Sequence, residues 1–399
     1  MNATGDAIAN FQIRKVKTPE EGEQFLNVPW HVYATDPLWV PPLRSEIAKQ
    51  FAPSNSFLQY GKLQQFIALP KHPDKQAPGN SKFKIQNSKF PLGRIVAAIN
   101  QRLIDREQQN IGLFGFFECI ENFSVAQALL QAACQWLKAQ GMTRVRGPID
   151  LSTHNGCFFQ VDGFGTSPTL MMPYNPTYYP TFMEQDGWSK AKDAYAYDLP
   201  LNQPLPPKYE KGYGIACRAG ITFRPMRNKG EDFQQDCLSL YHFFTRAFTH
   251  NWSSTPRTEA EFMDEARALK DLVNPDIFPI AEDKGEMVGF FMSLPDYNIA
   301  LKHVNGKLNW LGILKFLWHR RKINQARVIA IAALPEYRRK MLPLALIYKA
   351  WENNQKLGTP YKRADLSWVF EDNMPSRKII EASGAKIYQT YRIYEKALT

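Results

Sequence analysis

Residues 363–396 read RADLSWVFEDNMPSRKIIEASGAKIYQTYRIYEK, and the fold follows from how this stretch divides. Ala364 to Val369 is short, apolar and aromatic and runs into the polar turn Glu371-Asp372-Asn373, the pattern of a buried strand delivering a helix start. From Ser376 to Ala382, Ile379 and Ile380 fall at helical spacing beside Glu381, and Gly384 stands where a helix stops in the left-handed conformation. Lys386 to Tyr394 then reads as a closing strand.

An earlier stretch repeats this plan. Arg146 to Asp150 reads as strand, Asn175-Pro176 as helix entry, Tyr178 to Gln185 as short helix, Gly187-Trp188 as stop and Lys190 to Leu199 as aromatic strand. Asn175, Glu184, Gly187, Lys190 and Tyr197 thus answer Asn373, Glu381, Gly384, Lys386 and Tyr394 in order. Their unequal spacing marks a duplicated fold unit rather than a strict repeat.

The chain of 399 residues exceeds the usual size of one core, and two domains of roughly 200 residues each are expected. A hydrophobic share of 44% supplies packed cores and excludes global disorder. The net charge of +11 favours an anionic partner: CoA phosphates, nucleic acid or a lipid surface. Cys119, Cys134, Cys157, Cys217 and Cys237 form no CxxC pair, which suits reduced thiols. The start, MNATGDAIANFQ, has no basic segment or apolar run, and no window matches a membrane span, so a soluble cytoplasmic protein is expected. His31, His72, His154, His242, His250, His303 and His319 show no metal-ligand spacing, so no metal is expected.

Between these landmarks, Phe11 to Val16 alternates as a strand and Pro19-Glu20-Glu21 opens a helix carrying Phe25, Leu26, Val28 and Trp30. Pro70 to Pro91 reads as a long hairpin connector, and IGLFGFFECI (111–120) as a strand buried on both faces before a helix capped by Ser124. Pro200 to Gly220 reads as the linker between halves. Thereafter Ile221 to Met226 restarts the opening strand, Glu231 to Phe248 and Glu259 to Leu272 are helices, and Phe278 to Ala281 pairs with Glu286 to Leu294 across Asp283-Lys284-Gly285. LNWLGILKFLWHRRK (308–322) is apolar almost all round and basic at its end; interdomain packing, a lid, or a foot on a membrane surface all fit, and packing or a lid is preferred.

The succession DPLWVPP, GRIVAAIN, FGFFE, RGPIDLSTHN, YNPTYY and SWVFEDN resembles a family of bacterial proteins of this length built on the acyl-CoA N-acyltransferase (GNAT) plan. The resemblance implies an α/β fold of mixed sheets in two tandem GNAT-like domains. Each is a mostly antiparallel sheet of its own, splayed at its centre and flanked by helices. The implied domains are 1–199, degenerate in cofactor binding, and 221–399, the candidate acyl-CoA site, with 200–220 between them. In the first, the turn Glu118 to Phe123 lacks glycines and carries two carboxylates that would repel phosphate.

In the second half, Val328 to Leu334 followed by Pro335-Glu336-Tyr337-Arg338 resembles the family's pyrophosphate loop, which puts Ala333, Leu334, Arg338, Arg339, Lys340, Met341 and Asn373 against acetyl-CoA or a longer acyl-CoA. Met341 and Pro343 replace the small residues of that loop, and Ile380 stands where the family places an acidic tyrosine. Tyr391 or Tyr394 is a substitute acid, with core packing as the other reading, and Glu371 or Asp372 is a base or a turn cap. The Gly-, Pro- and Asn-rich loop 146–179 offers His154, Asn155, Tyr174 and Asn175 to a small-molecule or peptide amine, or serves domain packing. Cys157 near His154 is a weaker pairing for a thiol nucleophile.

Direct acyl transfer to an amine is the leading expectation. A catalytically silent GNAT fold that binds a ligand or partner is the alternative, and specific nucleic-acid binding has no motif behind it. A monomer or homodimer fits either.

Overall fold

The computed structural model describes residues 11–71, 90–247 and 252–398. The first ten residues, read for a targeting segment, lie outside these, as do most of the Pro70 to Pro91 connector and His72, Phe248 and His250. The first half contains strands β1 (Phe11–Lys15), β2 (Gly61–Pro70), β3 (Gly93–Asn100), β4 (Ile111–Cys119), β5 (Arg144–Gly147), β6 (Phe159–Asp162) and β7 (Ser189–Pro200). Between them run helices α1 (Pro19–Val32), α2 (Arg44–Lys49), α3 (Gln101–Glu107), α4 (Phe123–Ala139) and α5 (Tyr178–Gln185). After α6 (Pro207–Arg218) come β8 (Thr222–Pro225), α7 (Gly230–Ala247), α8 (Glu259–Leu269), β9 (Pro279–Asp283), β10 (Glu286–Pro295), α9 (Asn298–Leu301) and α10 (Trp310–His319). The chain ends through β11 (Gln325–Ala333), α11 (Leu342–Gln355), β12 (Arg363–Phe370), α12 (Met374–Glu381) and β13 (Lys386–Ala397).

Local chemistry sets the helix ends. Thr18 accepts from the Glu21 N–H while the Glu21 carboxylate accepts from the Thr18 N–H, so α1 starts on a capping box, and Thr258 with Glu261 does the same for α8. The cap of α4 is Asn122 rather than Ser124: Asn122 is the last extended residue, and its Oδ1 accepts from the Val125 N–H at 3.1 Å.

Both halves splay as expected. β4 runs parallel to β5 only over Ile111–Leu113, and β11 runs parallel to β12 only over Gln325–Val328. Two separate sheets do not form, however. The strands join one mixed sheet in the order β1-β2-β3-β4-β5-β13-β7-β12-β11-β10-β9-β8, with β6 against β13. Each half's closing strand serves the other half: β13 lies on β5, β7 lies on β12, and the two pair antiparallel from Lys386↔Asp198 to Glu395↔Ser189. Splayed β5 and β12 each need a partner on their far edge, and two long strands side by side satisfy both without leaving an open edge.

The segment expected as a linker is largely helix. In α6, Tyr209 and Ala216 are buried, Gly212 sits so close to α11 that a Cβ would come within 3.0 Å of the Leu344 Cβ, and the Tyr209 hydroxyl donates to Ile379 O at 2.5 Å. The packing expected for 308–322 also fails: α10 turns only Gly312, Phe316 and His319 inward, and its other apolar side chains are exposed. Loop 148–177 crosses onto the second half, where the Leu170 N–H donates to Asp296 Oδ1 at 2.8 Å and Leu170 O accepts from Arg327 at 2.6 Å.

Candidate functional site

The two splayed crevices differ. In the first half, Phe116 takes a left-handed φ of 48°, and its N–H donates to Asp150 Oδ1 at 2.6 Å while the Ile149 N–H donates to Phe114 O at 2.7 Å. The chain beyond β5 therefore fills its own crevice. Only glycine fits there: a Cβ on Gly115 would meet Ile149 O at 2.4 Å and one on Gly147 would meet Phe114 O at 2.4 Å. Burial without a cationic partner in contact pushes the Asp150 carboxyl up to about 6, against the pull of the Phe116 amide and of Arg94.

In the second half, Ile329, Ala330 and Ile331 remain partly exposed in mid-strand, past the point where β11 parts from β12. The Leu334 N–H donates to Val288 O on β10 at 3.0 Å, and strand alternation turns the N–H groups of Ile331 and Ala333 the other way, toward the side β12 has left. Of the expected pair Ala333 and Leu334, only Ala333 thus offers its amide to the crevice. An apolar pocket continues from the parting point on the α11 side, lined by Val328, Leu366, Ala364, Ile347, Ala350 and Trp351.

Pro335–Lys340 winds a 3-10 turn at the mouth of this crevice, and Met341 follows in the left-handed conformation at φ 60°. Arg338 and Arg339 are exposed and have no side-chain partner among the described residues. Lys340 reaches Asp283 Oδ2 at 3.4 Å, where the Tyr337 hydroxyl also donates at 2.9 Å. The Met341 N–H is taken by Arg338 O at 3.1 Å, so its backbone offers an anion nothing. Asn373 caps α12, its Oδ1 accepting from the Ser376 N–H at 3.3 Å.

The other expected residues scatter. Glu371 accepts from Lys190 Nζ at 2.7 Å and the Asp193 N–H at 3.2 Å, and Asp372 pairs with Lys192, so both fasten the turn after β12 to β7. Tyr391 is fully buried, donating to Gln389 Oε1 at 2.6 Å; an acid serving a departing thiolate has to reach the crevice, and this hydroxyl faces the core. Its companion Tyr394 is likewise core.

His154 contacts Thr255 O at 3.0 Å, and burial holds its imidazole neutral, down to about 4. Asn155 donates to Asp150 O at 3.0 Å, Tyr174 donates to Asp36 at 2.6 Å, and buried Asn175 holds β6 through the Gln160 N–H at 2.7 Å. These four serve different neighbours and do not converge. The Cys157 thiol is buried, and burial pushes it up, away from thiolate.

Two buried polar clusters went unread in the sequence. Glu118, expected to repel phosphate, faces inward: its Oε2 accepts from the Tyr33 and Tyr179 hydroxyls at 2.9 Å each. Burial pushes its carboxyl up to about 7, opposed by nearby Arg94 and by both hydroxyls. Arg94 itself is buried, donating to Phe25 O at 3.2 Å, and its Nε has no partner among the described residues. Behind the second crevice, Arg327 donates to Ser367 Oγ and O at 3.1 Å each, while Asp365 takes Ser367 and Tyr388. A lone charge inside an apolar strand run, as in FGFFE, GRIVAAIN and QARVIAIAA, is the sequence signal for both clusters.

Among the described residues no group of three or more His, Cys, Asp or Glu side chains could hold a metal ion. No helix among them is long and apolar enough to cross a membrane.

No family model matches the sequence. A tandem GNAT protein from the clavulanic acid biosynthesis pathway superposes with a TM-score of 0.54 at 11% identity, covering 98% of this chain and 99% of that one. A GCN5-related N-acetyltransferase from Sphaerobacter thermophilus gives 0.50 at 12% identity, over 97% and 96%. In sequence, Protein YghO of Escherichia coli is 28% identical over 97% of this chain and 95% of its own length. The bacterial ceramide synthase of Caulobacter vibrioides is 30% identical over 98% of both chains. With the tandem GNAT fold in place and that identity sustained end to end, this chain belongs to the family of the Caulobacter bacterial ceramide synthase.

Proposed function

We propose that the protein is an acyl-CoA-dependent N-acyltransferase whose second half, 221–399, holds the acyl donor and whose acceptor is a long-chain amine. The observation that carries this reading is the contrast between the crevices: Asp150 fills the first, whereas β11 stays accessible at Ile329–Ile331 beside two arginines with no side-chain partner among the described residues. Arg338 and Arg339 supply charge-assisted contacts to the donor's phosphates. The amides of Ile331 and Ala333 face the thioester carbonyl, where donors aimed at a developing oxyanion lower the barrier to direct attack. Holding donor and amine in one crevice removes the entropic cost of their encounter. The apolar pocket lined by Val328, Leu366 and Trp351 begins at the parting point and offers apolar surface to the start of an acyl chain. The ceramide synthase relative directs attention to a long-chain amino alcohol as acceptor.

The test is a coupled assay on the purified chain with acetyl- and palmitoyl-CoA and a panel of amines, including a sphingoid base, reading thiol release and amide product together. Amide formation with thiol release supports the reading. A silent ligand-binding fold is the second reading, favoured by the bulk of Met341 at the turn and by the buried Tyr391 hydroxyl. It predicts thermal stabilisation by acyl-CoA with no thiol released.

A further inference from the structure

α10 has an unusual relation to the rest of the molecule. Its seat is a narrow stripe: Phe316 stacks on Tyr297 with ring centroids 5.8 Å apart, His319 stacks on His303 at 3.6 Å, and Gly312 lies so close that a Cβ would meet Lys307 O at 2.1 Å. The opposite side carries Trp310, Ile313, Leu314 and Leu317, flanked by Leu311 and Trp318, and all six are exposed, Trp310 at 69% and Trp318 at 65%. Two turns of helix thus present an unbroken apolar face to solvent. Surfaces of that kind mark a partner.

The charge around the face says which partner. From residue 302 to residue 325 the chain carries Lys302, Lys307, Lys315, Arg320, Arg321 and Lys322 and no Asp or Glu. Arg320, Arg321 and Lys322 continue the helix as an exposed 3-10 turn, and Lys315 flanks the apolar face. Apolar side chains with tryptophans at both ends, flanked along the chain by cations, match the boundary between acyl chains and anionic headgroups. The turn before the helix is braced from the first half: Trp30 donates to Asn305 Oδ1 at 3.2 Å, and the Arg44 N–H donates to Gly306 O at 3.1 Å. Phe316 shares its apolar cluster with Ile329, so the inward stripe of α10 packs into the same cluster as mid-β11.

We infer that α10 is a membrane-surface foot that seats the protein on a bilayer rich in anionic lipid. The apolar face enters the interface, and the basic end holds the headgroups. This stands on the helix alone and needs no acyl donor, so its failure leaves the acyl-transfer reading untouched.

The experiment is sedimentation of the full chain with vesicles of phosphatidylcholine alone and of an equimolar mixture with phosphatidylglycerol, at low and physiological salt. Binding to the mixed vesicles, weakened by salt and accompanied by a blue shift of tryptophan emission, is the expected result. Two variants divide the contributions: Trp310→Ser/Leu314→Ser/Trp318→Ser on the face, and Arg320→Gln/Arg321→Gln/Lys322→Gln at the end. Each is expected to fold with an unchanged melting temperature, and the second to bind roughly 100-fold more weakly. Failure of the wild type to sediment with mixed vesicles at low salt overturns the inference, as does undiminished binding by both variants. A dimer in solution that the face variant converts to monomer also overturns it, since a second copy then covers the helix.

Discussion

Asp150 accepts the Phe116 N–H at 2.6 Å across the parting of β4 and β5, so a carboxylate occupies in the first half the place that stays open between β11 and β12 in the second. The two halves share one plan but differ in what becomes of the amide groups that splaying exposes. Replacing Asp150 by Ala leaves the Phe116 amide unpartnered, and a loss of roughly 1–3 kcal/mol in unfolding free energy is expected. Asn keeps an acceptor and should cost less than half of that. Denaturant titration of the two variants measures the difference.

Glu118 makes stability depend on pH. Its carboxyl is raised from 4.5 to about 7 in the folded state, so the native protein binds the proton more tightly than the unfolded chain. The contribution is fully present below pH 4.5 and is lost as pH rises toward about 7. Glu118→Gln still accepts from Tyr33 and Tyr179 without carrying the charge. At about pH 8 the variant should exceed the wild type by roughly 1–3 kcal/mol, with the gap closing in acid. Asp150 is raised in the same direction and its charge is one of the causes that raise Glu118, so part of the gap is relief of that repulsion.

Arg338→Ala and Arg339→Ala should leave the melting temperature unchanged, because neither side chain has a partner to lose among the described residues. Each should raise the KM for acyl-CoA roughly 10-fold with little change in kcat, as expected when a charge-assisted contact to bound donor and transition state alike is removed. Steady-state kinetics at two salt concentrations separates this from general electrostatic steering, which salt suppresses in the wild type as well.

Met341→Gly tests the turn from the opposite side. Met341 holds φ 60°, which glycine adopts without a Cβ penalty, so a gain of about 1 kcal/mol is expected. The same change clears bulk from the head of α11. Tighter acyl-CoA binding by calorimetry, with higher thermal stability, is the expected pair of results.

Much of this protein was legible in order along the chain. The unit from Arg363 to Lys396, its echo from Arg146 to Leu199, the helix start at Pro19 and the basic turn at Arg338 all depend on neighbours a few residues apart, and propensity and alternation act over that range. The helix in 207–218 was hidden because its Lys, Tyr and Gly residues resemble a linker until the contacts of Tyr209 and Gly212 with the second half are seen.

What the sequence by itself determined is two copies of a strand, turn, helix and strand plan with a basic turn in the second. Tertiary structure alone decided that β7 and β13 change places, that Asp150 closes one crevice while the other remains open, and that Glu118 points inward to two tyrosines. It alone leaves the apolar face of α10 in solvent. The physical reason is that local pattern specifies which residues form an element and which face is apolar. Which partner covers that face, and which carboxylate meets which amide, depends on contacts between residues as far apart as Arg146 and Glu395.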